Sequence, residues 1–116
     1  MHTRSLSLPD GTVVPETIAI AEELASRHPD AGLWPKSAKA RAVARVLAAE
    51  MHAGYGALRN HCPMNLRVSY TDCAPPDAVL ADLARLQVIW DWARQETGAQ
   101  GPWLCGDYSA ADAFFA

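Results

Sequence analysis

Cysteine, histidine and carboxylate side chains could carry chemistry in this chain, and most of them are spaced against it. Cys62, Cys73 and Cys105 are widely separated, odd in number and include no Cys-x-x-Cys pair. That spacing argues against a disulfide framework, so each is expected as a buried or partly buried free thiol. His2, His28, His52 and His61 fall at no metal-ligand spacing. His61-Cys62 is adjacent rather than one helical turn apart, so no metal site is expected. Met51, His52 and Tyr55 form a more promising set. His52 and Tyr55 stand at i, i+3 on one helical segment beside Met51, which places an imidazole, a phenol and a thioether on one side. Ser109-Ala110-Ala111-Asp112 has the form of a capping box, which starts a helix rather than a reaction.

Composition limits what can hold these groups. A chain of 116 residues, half apolar and one fifth charged, has enough core for one domain and too much for intrinsic disorder. Alanine is abundant and aromatic residues are few, which predicts closely packed helices with small side chains. The formal charge of −3 argues against a nucleic-acid surface. The apolar runs are too short to span a membrane, and no apolar leader follows Met1-His2-Thr3-Arg4-Ser5. An intracellular, cytoplasmic protein is expected.

The elements follow from periodicity. Ser5-Leu6-Ser7-Leu8 alternates, Pro9-Asp10-Gly11 is turn chemistry and Thr12-Val13-Val14 is β-branched, so a hairpin is predicted. From Glu16 the spacing of Ile20, Ala21, Leu24 and Ala25 is helical up to Pro29. Residues 29–36 read as a linker that Trp34 anchors into a groove. Ser37 is an N-cap candidate for a long helix to about Asn60, with Val43, Val46, Leu47, Met51, Gly54 and Leu58 as its apolar stripe. A second long helix starts after Pro75-Pro76, with Val79, Leu83, Leu86, Trp90 and Ala93 inward and Gly98 as its stop. These two helices, roughly 37–60 and 76–97, should pack antiparallel around a central Leu83. Residues 62–72 read as a long loop or a fraying helix end. Trp34, Trp90, Trp92 and Trp103 are assigned to packing.

The ordered set resembles the glutathione S-transferase family, over about Leu6 to Ala116. A hairpin leads to Glu16-Thr17-Ile18-Ala19-Ile20, similar to the family's Glu-Ser/Thr-x-Ala-Ile at the end of its thioredoxin-like domain. Two long helices then lead to Gly106-Asp107-Tyr108-Ser109-Ala110-Ala111-Asp112, similar to the family's Gly-Asp-x-Ser/Thr-x-Ala-Asp box. Residues 49–55 with Pro63-Met64-Asn65 look like a bacterial branch. The resemblance implies a mainly α fold: a helical bundle like the family's C-terminal domain over 37–116, preceded by a hairpin-and-helix remnant of a thioredoxin-like domain over 1–28. It implies glutathione as co-substrate, a small hydrophobic electrophile as its acceptor, and a homodimer. Glu16 and Thr17 would hold the γ-glutamyl end, since N–H groups at a helix start favour a carboxylate and the Glu16 carboxylate suits an ammonium. Met51, His52 and Tyr55 would line the electrophile cleft. The family's thiol-activating Ser, Tyr or Cys lies upstream of the hairpin, so no catalytic residue is assigned and the chain is expected to be truncated at both ends. The alternative is a non-catalytic helical interaction module.

Overall fold

The computed structural model describes residues 4–116, so His2 lies outside the described residues. Strands β1 (Leu6–Ser7) and β2 (Val13–Val14) pair antiparallel, Leu6 opposite Val14 and Ser7 opposite Val13. The Pro-Asp-Gly corner forms as predicted. Asp10 Oδ1 accepts the Thr12 N–H at 2.9 Å, and Gly11 takes φ +88°, a conformation that suits glycine.

Helix α1 (Thr17–Arg27) follows directly, and a 3-10 turn (Pro29–Ala31) opens the linker. Helix α2 (Ala38–Ala53) forms the centre. Its cap is the predicted one, with Ser37 Oγ accepting the Ala40 N–H at 3.3 Å. Ala44, Leu47 and Ala48 of α2 are almost fully buried. Helix α4 (Asp77–Thr97) brings Ile89 and Ala93 against them, α5 (Ala110–Phe114) adds Ala111, and the linker adds Trp34. Small α2 residues let these neighbours approach closely, and Trp34 anchors the linker as its position predicted. Helices α2 and α4 run antiparallel, because Lys39 pairs with Glu96 at one end while Glu50 pairs with Arg85 toward the other. Gly98 stops α4 in the left-handed conformation, φ +69°.

The first long helix is shorter than its periodicity suggests. It ends at Ala53, and a separate helix α3 (Gly56–His61) follows. Gly54 is extended, and a Cβ there would lie 3.0 Å from the Glu50 carbonyl oxygen. Tyr55 takes φ +59°, which costs a non-glycine residue about 1–3 kcal/mol, and the buried Tyr55 ring offsets it. Arg59 then donates to the Met51 and His52 carbonyls, and Asp82 Oδ2 accepts the Leu58 N–H at 2.9 Å. The break is therefore satisfied on both sides.

Four packing expectations fail. Leu83 is 43% exposed rather than central, because the buried face of α4 runs through Val79, Leu86, Ile89 and Ala93 and leaves Leu83 at its flank. Val46 lies on the outer side of α2. Trp92 and Trp103 are partly open, Trp103 resting edge-on against Tyr108 with ring centres 4.9 Å apart. Trp34 is buried, and Trp90 is half-buried against Phe115.

Candidate functional site

Residues chosen separately in the sequence meet at one surface. Glu16 precedes α1 and carries no side-chain cap to it. Its carboxylate turns instead to α2, where Oε2 lies 2.8 Å from His52 Nε2. His52 sits in the last turn of α2, where the helix dipole favours a cation. The Phe114 ring stands edge-on to the imidazole with centres 6.5 Å apart. Thr17 is exposed at the start of α1, and Met51 is half-buried beside His52. The arrangement offers a carboxylate, the uncapped N–H groups of an eleven-residue helix and an imidazole at an open surface. Such a surface can hold a zwitterion, with ammonium on the carboxylate and carboxylate on the helix start.

Tyr55 does not join that group. The helix break turns it inward, where its hydroxyl donates to Glu50 Oε1 at 2.8 Å. Arg85 grips the same carboxylate twice, Nε to Oε1 at 2.6 Å and an Nη2 to Oε2 at 3.0 Å. Arg85 first, and Tyr55 after it, hold the Glu50 carboxyl below its ordinary range against the opposing effect of burial. Burial, together with the adjacent Glu50 charge, pushes the Tyr55 phenol up to about 12. A phenol buried and engaged in this way braces the fold. Of the expected cleft residues, Met51 and His52 stay together and Tyr55 leaves them.

Ser109 and Asp112 form the predicted capping box. Asp112 carries it: Oδ2 accepts the Ser109 N–H at 3.0 Å, while Oδ1 accepts the Leu104 N–H at 3.0 Å. The Ser109 hydroxyl is buried at the start of α5. The Ala110 N–H donates to the Leu33 carbonyl at 2.8 Å, tying α5 to the linker. Two concavities flank Trp34, of about 340 and 380 Å³. Neither is lined by Glu16, Thr17, Met51, His52 or Tyr55, so the Glu16–His52 surface is separate from both.

The thiols divide. Cys105 is buried, and desolvation pushes it up to about 11. Cys62 and Cys73 are exposed, against expectation, because they bound a segment with no helix or strand to cover them. No group of three or more metal-ligating side chains occurs among the described residues. Sequence reasoning missed Glu50 and Arg85, which are 35 positions apart and meet only because α2 and α4 are antiparallel. Their one early signal is that each is a charge flanking an apolar stripe. No family model matches this chain, and no curated protein or solved structure matches it either.

Proposed function

We propose that the chain is a glutathione S-transferase-like helical protein that binds glutathione at the Glu16–His52 surface without activating its thiol. The carrying observation is the 2.8 Å contact between Glu16 and His52, which unites a carboxylate, an uncapped helix start and an imidazole. Glu16 takes the ammonium of the γ-glutamyl group, while Thr17 and the first N–H groups of α1 take its carboxylate. Met51, His52 and the Phe114 edge offer a mixed surface to a small hydrophobic acceptor. Thiol activation needs a base or a hydrogen-bond donor held at the sulfur, and Tyr55 is committed to Glu50. The resemblance of the ordered motifs to the family supports this reading. Calorimetric titration with glutathione should show saturable binding that Glu16→Gln weakens. The same protein should give no conjugation to a chlorinated aromatic acceptor above the uncatalysed rate. Absence of binding, with the fold intact, would sink the proposal.

A second reading, a non-catalytic module that associates with itself, draws on a different observation. Val46 on α2 and Leu80, Val88 and Trp92 on α4 are exposed apolar side chains. A homodimer would cover them, and sedimentation would show it. No helix among the described residues is long and apolar enough to cross a membrane. A cytoplasmic location is part of the proposal.

A further inference from the structure

Helix α3 ends at His61 and Cys62 is its C-cap. From there to Pro76 the chain forms no helix or strand, and residues 62–74 are all exposed. Hydrogen bonds within this loop are local, the Arg67 and Val68 N–H groups both donating to Asn65 Oδ1. One contact ties its far end back to the helical body. Cys73 Sγ lies 3.8 Å from His61 Nε2. The residue after that histidine is the second exposed thiol, Cys62.

We propose that Cys73 and Cys62 form an oxidant-reactive dithiol, with His61 as the proton acceptor for Cys73, that closes to a disulfide at the base of the 62–76 loop. Three features carry it: two exposed thiols at the two ends of one loop, an imidazole against one of them, and a loop without regular structure between them. The co-reactant is a hydroperoxide. Cys73 gives its proton to His61 and its sulfur attacks the outer peroxide oxygen, breaking the O–O bond. His61 returns the proton to the departing oxygen, which leaves as water or an alcohol. Cys73 is then a sulfenic acid. The Cys62 sulfur attacks that sulfur, and the hydroxyl leaves as water with the Cys62 proton. Two thiols have lost two electrons to one peroxide, and one S–S bond has formed. Disulfide geometry needs the two Cα atoms about 4.4–6.8 Å apart, and the loop can supply that approach because its internal hydrogen bonds are all local. Closure would hold the exposed side chains of Met64, Leu66, Val68 and Tyr70 on a pinned loop. The buried Cys105 is a built-in control.

The test treats the full chain with hydrogen peroxide and maps cysteine states by peptide mass spectrometry. An intramolecular Cys62–Cys73 bond is expected, with Cys105 still reduced. Cys62→Ser should leave Cys73 as a sulfenic acid that dimedone traps. His61→Gln should slow alkylation of Cys73 about tenfold and leave Cys62 unchanged. All three positions are exposed, and circular dichroism should show each variant folded. Cys73 alkylating no faster than Cys62, only intermolecular bonds on oxidation, or no dimedone adduct in Cys62→Ser would each overturn the proposal.

Discussion

Two side-chain pairs, Glu50–Arg85 and Glu16–His52, meet near the C-terminal end of α2, and they differ in what surrounds them. Glu50 is partly covered, takes two hydrogen bonds from Arg85 and a third from Tyr55, and joins α2 to α4. Glu16 and His52 make one contact in the open, with their side chains 62% and 37% exposed. A carboxylate with three fixed donors cannot rearrange cheaply. A carboxylate with one partner in water can exchange it for a ligand. The first arrangement stabilises the fold, and the second leaves a surface able to bind.

That contrast can be tested against a core residue. Leu47 lies fully buried in α2, so Leu47→Ala should cost about 2–5 kcal/mol in chemical denaturation. Tyr55→Phe keeps the ring and removes the hydroxyl. Glu50 retains Arg85, so a loss of about 1 kcal/mol is expected. A negligible loss would make the Glu50 cluster no stronger than a surface pair.

The same cluster has a pH signature at each end. The folded Tyr55 phenol is raised from its ordinary 10.0 to about 12. Between those values the unfolded chain loses the proton first, so stability present below pH 10 should fall as pH rises toward 12. Tyr55→Phe should lose that fall. Glu50 is lowered, so its contribution is present above the ordinary carboxylate range and is lost as pH drops through its folded value.

The smallest effects should come from the open side. Leu83→Ala should stay within about 0.5 kcal/mol of the parent, as for a surface position. Glu16→Gln should also change stability by less than about 0.5 kcal/mol, while weakening glutathione binding. Equal damage to stability from Glu16→Gln and Tyr55→Phe would erase the distinction between the two regions.

The local elements were legible wherever their cause is local. The Pro-Asp-Gly corner, the Ser37 cap, the Gly98 stop and the Ser109–Asp112 box depend on residues within a few positions of one another, and each forms where its sequence stands. Reading failed where two solutions shared one pattern. Apolar spacing continues through Gly54 and Leu58, so periodicity alone could not show that the helix stops. The break came from a Cβ-free position against the Glu50 carbonyl and from a partner for the buried Tyr55 hydroxyl. Leu83 shares helical spacing with the α4 stripe but stands to one side of the face that Val79, Leu86, Ile89 and Ala93 bury.

By itself, the sequence determined a mainly helical chain with a short hairpin, the order of its elements and the residues that start and stop them. These follow from backbone conformations and capping groups that act over one turn. Only the tertiary structure decided that Glu16 meets His52, that Glu50 meets Arg85, and that Cys73 returns to His61 beside Cys62. Each pairing joins groups 12 to 36 positions apart. Side chains so far apart are brought together by the packing of helices and the return of a loop, which no local spacing encodes.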